Sequence, residues 1–257
     1  MLQERFPGVK RIANPENFGF ARANNLAIEQ ASGRLVLLLN SDTLVQENTL
    51  TRMLDFMQQH TEVGALGVKL VNPDGSFQAS YAKFPTLLSE FLLIAGLAQR
   101  VIGQYAPSPA PRAAEAPQPV DWVIGAVILI RQEVIQKAGM FREEFFLYSE
   151  ETDWCWRIWK SGASVWYLPD VSVIHFGGSS SRKSSVKSYA QLYKSKVLFF
   201  ELNYGKTQAK MLKWTFRTVL SIRYQVWRML QGLGLKSLRG VPLERRIEHE
   251  KFTLSAL

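Results

Sequence analysis

Cysteine is nearly absent: Cys155 stands alone in 257 residues, so no intrachain disulfide can form and a reducing compartment is the default. The opening "MLQERFPGVKRI" lacks the apolar core of a signal peptide, which points to the cytosol or the cytosolic face of a membrane. No internal repeat and no recognised nucleic-acid motif is present, which speaks against a repeat architecture and a nucleic-acid-binding module. The longest apolar stretch, residues 85–105, carries Glu90 and Arg100 and several small residues; it predicts a packed or surface-lying helix, not a membrane span. Acids are outnumbered, 22 Asp and Glu against 31 Lys and Arg, for a net charge of +9, so a polyanionic neighbour is expected. With 47% apolar and 21% charged residues the chain is long and apolar enough for a substantial core.

Along the chain, "GVKRIA" at 8–13 predicts a short strand and "NPENFG" a turn. Helical spacing of Phe20, Ala23, Ala27 and Ala31 predicts a helix over 20–30. Residues 34–39, "RLVLLL", predict a strand buried on both faces, as in a parallel α/β sheet. A helix near 46–60 and a strand over "GALGVKLV" follow, closed by the turn "NPDGS". This is βαβ alternation. "APSPAPRAAEAPQP", 106–119, predicts a mobile loop, and "DWVIGAVILIR" a strand whose internal glycine suggests close approach of backbone or ligand.

Three polar clusters interrupt this pattern. Asn40-Ser41-Asp42 follows the buried strand at once. The plain explanation is a cap for the next helix; the functional one is a ligand crevice at the strand end. Glu150, Glu151 and Asp153 place three carboxylates in four residues, and on a helix Asp153 and Arg157 would form an i, i+4 pair with the glutamates at the helix start. That leaves the surrounding aromatics, among them Tyr148, Trp154, Trp156 and Trp159, unexplained. Carboxylates among aromatics are partly desolvated, which raises their pKa toward the range of a general base. In "VSVIHFGGSSSR" an apolar run ends at His175 and opens into a glycine- and serine-rich segment, compatible with a phosphate or metal contact.

The tail has its own pattern. On a helical wheel of 206–231, Lys206, Lys210, Lys213, Arg217 and Arg228 share one narrow sector. Met211, Leu212, Val219, Ile222, Val226, Met229 and Leu230 fill the other side, with Trp214 and Trp227 at the flanks. Such a cationic amphipathic helix either lies at a membrane interface or buries its apolar face on the main domain.

The order "NPENFGFARANNLAI", "LLLNSDT", "DWVIGAVILIR", "GMFREEFFLYSEETDWCWR", "VWYLPDVSVIHFGGSS" resembles the family 2 inverting glycosyltransferases of GT-A fold, especially the rhamnosyltransferase-like members of bacterial surface polysaccharide synthesis, over roughly residues 8–205. The resemblance implies an α/β, Rossmann-like, mostly parallel sheet flanked by helices over 1–204, with a basic amphipathic helical tail over 205–257. It also implies a hexosyltransferase that moves a sugar from a dTDP-, UDP- or GDP-sugar to a saccharide or lipid-linked saccharide acceptor, with a divalent cation, Mg²⁺ or Mn²⁺. Asp42 and His175 would hold that cation, and Asn17, Gly19, Asn24, Asn40 and Ser41 would line the donor site. Trp122 and Gly125 would face the acceptor. In the acidic stretch the second residue, Glu151, stands where the family usually has the Asp that serves as base; Glu150 is the alternative base, and Asp153 completes the motif. The expected place of action is the inner face of the cytoplasmic membrane, by peripheral contact and without nucleic acid. The family's opening strand, helix and second strand are not in this sequence, so an incomplete sheet with one raw edge is expected. That expectation keeps an alternative open, an inactive remnant serving as a binding or scaffold module.

Overall fold

The structure, a computed structural model, describes residues 2–111, 115–177, 185–238 and 240–257. Gly178 to Arg182, part of the glycine- and serine-rich segment singled out above, lie outside the described residues. A short helix α1 (Leu2–Arg5) leads to α2 (Gly19–Ile28), then β1 (Leu35–Leu39), β2 (Thr43–Val45), α3 (Thr49–Gln59) and β3 (Val63–Val71). Next come β4 (Phe77–Gln78), β5 (Tyr81–Ala82), α4 (Leu87–Ile94), α5 (Ala98–Val101), β6 (Gln118–Pro119), β7 (Trp122–Val123), β8 (Val127–Arg131) and α6 (Gln132–Ala138). The last third holds α7 (Glu150–Lys160), β9 (Ser164–His175), α8 (Ser185–Tyr204), α9 (Lys206–Gly232), β10 (Ser237–Leu238), β11 (Val241–Pro242) and α10 (Leu243–Ala256).

The main sheet runs β1-β8-β3-β9-β2, with β4 against β3 and β6 against β9. Its centre is the long parallel pair β3·β9, and β8 and β2 run against their neighbours. Each strand feeds two cores because side chains alternate across the pleat. On one face Val36, Leu38, Ile128 and Ile130 pack with Ile28 of α2, Val134 of α6 and Trp154 and Ile158 of α7. On the other, Val127, Leu129, Leu66 and Leu70 pack with Met53, Phe56 and Met57 of α3. These two layers are the α/β sandwich expected from the βαβ alternation. A third core of Phe145, Tyr193, Phe199, Phe200, Leu212, Phe216 and Leu220 fastens α8 and α9 to the loop before α7. Cys155 is fully buried, and burial pushes its thiol up to about 12, so it is chemically quiet.

Several expectations are corrected. Residues 8–13 form no strand; they are exposed throughout, and a β-prone segment without a partner strand has nowhere to place its hydrogen bonds. "DWVIGAVILIR" is broken at Ile124 to Ala126 into β7 and β8. The apolar stretch 85–105 is two helices, α4 and α5, parted at Gly96, whose φ of 72° suits glycine. Helix α3 starts at Thr49 behind Asn48, which takes a left-handed φ of 61° and offers no side-chain cap. The triplet Asn40-Ser41-Asp42 therefore does not cap it. β1 ends the strand order, paired among the described residues on its β8 side.

Candidate active site

The end of β1 is drawn into a tight junction. Thr43 Oγ1 donates to the Asn40 carbonyl at 2.7 Å, turning the chain back into β2. β2 pairs antiparallel with the end of β9, Thr43 opposite His175, and the Phe176 N–H donates to the Asp42 carbonyl at 2.9 Å. Asp42 and His175, 133 residues apart in sequence (175 minus 42), thus meet: Oδ1 lies 3.4 Å from Nε2.

The orientation of that imidazole follows from its neighbours. Gln78 spends its Nε2 on Asn72 Oδ1 at 3.0 Å and on the His175 carbonyl at 3.2 Å, so its Oε1 is the atom facing His175 Nδ1 at 2.7 Å. Nδ1 then donates to Gln78, and Nε2 is the ring nitrogen turned toward Asp42. The 3.4 Å separation is long for a hydrogen bond and suits two donors sharing one cation, since metal–oxygen bonds of about 2.1 Å put adjacent ligands about 3 Å apart. The Gln78 support is what a metal-binding histidine usually has behind it. Among the described residues no third His, Cys, Asp or Glu joins the pair, so a cation here would draw its remaining ligands from a bound anion or water.

The second half of the site lies at the start of α7. Tyr148 and Ser149, neither of them glycine, both take left-handed backbone, φ 70° and 66°. Each such residue is strained by roughly 1–3 kcal/mol, a cost that collects at functional sites. The turn brings Glu150 and Glu151 to the positive end of the helix. Glu151 lines a cavity of about 990 Å³ together with Trp122, Tyr148, Tyr193, Lys196 and Arg223. The Gly125 N–H donates to its carboxylate, and a Cβ at Gly125 would sit 3.5 Å from Glu151 Cβ. The glycine expected from sequence to mark a close approach thus touches the candidate base itself. Burial pushes Glu151 up from the ordinary carboxylate value. Glu150 is pushed up to about 9, first by burial and then by the charge of Glu151. Oε2 of each carboxyl finds no hydrogen-bond partner among the described residues. With the Gly125 and Thr152 backbone bonds, Glu151 is the better stabilised anion and Glu150 the proton holder.

Asp153 sits differently. It is fully buried, does not line the cavity, and accepts from Arg142 Nη1 at 2.9 Å, Arg157 Nε at 2.8 Å and Asn203 Nδ2 at 2.9 Å. The i, i+4 pair read from sequence is present, inside a larger clamp.

The two halves meet where the Asn40 N–H donates to the Ala126 carbonyl at 2.9 Å beside Gly125, continuing the β1·β8 pairing. Asn17 Oδ1 accepts from the Gly19 N–H at 3.0 Å. A side chain at Gly19 would collide with the Phe146 carbonyl, which accepts the Phe20 N–H at 2.8 Å; this lays the start of α2 against the loop before Glu150. Asn24 donates to the Phe20 carbonyl one turn back in α2. The buried asparagine is its neighbour Asn25, which exchanges bonds with the Phe141 backbone at 2.9 and 3.0 Å. Sequence reading named Trp122 for the acceptor side, and it lines the cavity with its Nε1 donating to the Lys83 carbonyl. It missed Gln78, Arg142 and Asn203, whose partners lie 97, 11 and 50 residues away.

The raised value of Glu150 has a consequence for stability. Below the ordinary carboxylate value of 4.5 the group is protonated folded or unfolded; as pH rises toward about 9 only the unfolded chain ionises, so stability is lost over that window. Glu150→Gln removes the loss: its melting temperature should match the wild type at about pH 4.5 and exceed it by about 5 °C at about pH 7.5 in a calorimetric scan. Equal melting at the higher pH would refute the assignment.

A mixed sheet with a polar crevice at one end and a carboxylate-lined cavity beside it defines the class: this is the GT-A glycosyltransferase fold. Two solved structures share it at a TM-score of 0.51 and 13% identity. One, of GalNAc-T7 with UDP, GalNAc and Mn²⁺, matches 95% of this chain and 42% of its own. The other, mannosyltransferase PcManGT from Pyrobaculum calidifontis with GDP-Man and Mn²⁺, matches 98% and 70%. The model of glycosyl transferase family 2 matches residues 1–139, a little over half of the 257, and the chain belongs to that family; it is a glycosyltransferase. Among curated relatives, N-acetylglucosaminyl-diphospho-decaprenol L-rhamnosyltransferase of Mycobacterium tuberculosis is 26% identical over 86% of this chain and 76% of its own. Rhamnosyltransferase WbbL of Escherichia coli K12 is 23% identical over 69% and 68%.

Proposed function

We propose that the chain transfers a hexosyl unit, with inversion, from a nucleoside-diphosphate sugar to a hydroxyl of a saccharide acceptor in cell-surface polysaccharide synthesis. The observation that carries this reading is the juxtaposition of an Asp42–His175 pair spaced to share a cation and a cavity-facing carboxylate of raised pKa, linked through Asn40 and Ala126. Asp42 and His175 would hold Mg²⁺ or Mn²⁺, with Asn40 and Ser41 beside the donor and Asn17, Gly19 and Asn24 supporting that side. The cation, when bound, supplies charge neutralisation for the departing diphosphate. Glu151 accepts the acceptor's O–H proton as that oxygen attacks the anomeric carbon; the new C–O bond forms as the bond to the diphosphate breaks on the opposite face. Glu150 keeps its proton and Gly125 N–H orients Glu151. Asp153 positions α7 from beneath.

A dTDP-, UDP- or GDP-sugar fits as donor, and a lipid-linked saccharide as acceptor. The Mycobacterium relative is named for a diphospho-decaprenol substrate, and the cavity beside Glu151 is mostly apolar, with Leu93, Ile94 and Leu192 among its walls. The cationic amphipathic helix α9 supports peripheral contact with the inner membrane face; no helix among the described residues is long and apolar enough to cross a membrane. Titration with nucleoside diphosphates, with and without Mn²⁺, tests the donor half. Binding should be metal-dependent and should weaken by at least about 100-fold in Asp42→Ala, the loss of one charged ligand. Unchanged metal-dependent affinity in that variant would overturn the site.

A further inference from the structure

We propose that the outward face of α9 is a docking surface for an anionic lipid bilayer, so that the helix walling the acceptor cavity is also the one that rests on lipid. This deepens the reading of the acceptor as lipid-linked and rests on it for its purpose, though not for its geometry. The apolar side of this helix, undivided in the sequence, is split by the fold. Ala209, Leu212, Phe216 and Leu220 are buried on the side that packs against α8, α10 and α4. Met211, Trp214, Ile222 and Met229 point away and are 52%, 69%, 59% and 59% exposed, with Val226 beside them. At 100° per residue these five fall in a band about 120° wide, shared with Thr215, Thr218 and Gln225 and running about 27 Å along the axis. Next to it lies a third stripe, Lys206, Lys210, Lys213, Arg217 and Arg228, all exposed.

Helix α9 contains no Asp or Glu in 27 residues. An exposed apolar band with cations along one side, and an exposed Trp whose ring and N–H suit an interface, fits a flat surface that is apolar beneath and anionic on top. A nucleic acid would use the cations and leave the Met and Ile stripe in water, so the apolar stripe decides between the two. On the inward side Arg223 of the same helix lines the cavity with Tyr193 and Lys196 of α8. A saccharide whose lipid stays in the bilayer would then reach Glu151 past the thickness of one helix, about 10 Å.

The test is sedimentation of the full chain with phosphatidylcholine vesicles containing about 30% phosphatidylglycerol. The wild type should bind, and K210Q/K213Q/R217Q/R228Q should lose more than about 100-fold in affinity. M211S/W214S/I222S/M229S should bind the same vesicles at least about 10-fold more weakly. All eight positions are surface residues outside the proposed catalytic machinery, so both variants should turn over a water-soluble acceptor as the wild type does. The proposal is overturned if the wild type ignores anionic vesicles, if either variant binds them as the wild type does, or if duplex DNA is bound more tightly than vesicles and indifferently to the apolar changes. Vesicle binding without turnover of a lipid-linked saccharide would support the docking face and overturn the acceptor reading instead.

Discussion

Replacing Glu151 with Gln lowers the rate of sugar transfer by about 10²- to 10⁴-fold, the usual contribution of a positioned general base, while metal-dependent nucleotide binding stays intact. The amide keeps the shape of the side chain and still accepts the Gly125 N–H that anchors the carboxylate, so the loss reports the proton acceptor alone. The pH profile carries a second signature. Because burial raises Glu151, the wild-type kcat/KM should rise with pH along an acidic limb that lies above the ordinary carboxylate range, as the base becomes free to accept a proton. In Glu151→Gln the residual rate should lose that limb. Glu150→Gln should keep it close to where it lies in the wild type, because Glu150 already holds its proton over that range. A Glu151→Gln variant with the wild-type rate and profile would remove Glu151 from the chemistry.

How much of this was legible in the sequence depends on where each partner lies along the chain. The five apolar residues of β1 followed by Asn40-Ser41-Asp42 announce a strand that runs into a polar turn, because both features are contiguous; burial on both faces does not follow, since β1 ends the strand order, pairs antiparallel with β8 and buries only Val36 and Leu38. The start of α7 is legible for the same reason: three carboxylates and Arg157 on a helix are a local pattern. The support for His175 is not local. Gln78 sits on a two-residue strand after an ordinary turn, and nothing in "GSFQAS" distinguishes it until β4 is laid beside β3. The strand expected at 8–13 fails for the converse reason, since periodicity records preference for extended backbone but not the presence of a neighbour to pair with. Helix α9 lies between these cases. Its amphipathicity is plain in the sequence, yet whether Leu212 or Met211 faces the core is decided by Tyr193 and Phe199 on another helix.

Asp153→Ala should be the most damaging single change to stability. Its carboxylate is fully buried and holds two guanidinium groups, Arg142 at 2.9 Å and Arg157 at 2.8 Å. Arg157 in turn donates to the Ala138 and Met140 carbonyls at 2.5 and 2.7 Å, and Asn203 ties the cluster to α8. One side chain thus fastens α7, the segment after α6 and the C-terminal helices together. Removing the anion leaves cationic groups in a low-dielectric site without their counter-charge, which costs about 3–5 kcal/mol. For a chain of this size that corresponds to a fall in melting temperature of about 10 °C or more. Asp153→Asn keeps oxygen and shape but not charge, and should recover only part of the loss because neutral acceptors bind guanidinium about half as strongly. Arg142→Ala in the Asp153→Ala background should then cost less than in the wild type, because the charge it served is gone. If Asp153→Ala melts within about 2 °C of the wild type, the clamp is not what holds α7 in place. The strained turn at Tyr148 and Ser149 would then have to keep Glu151 at the cavity by itself.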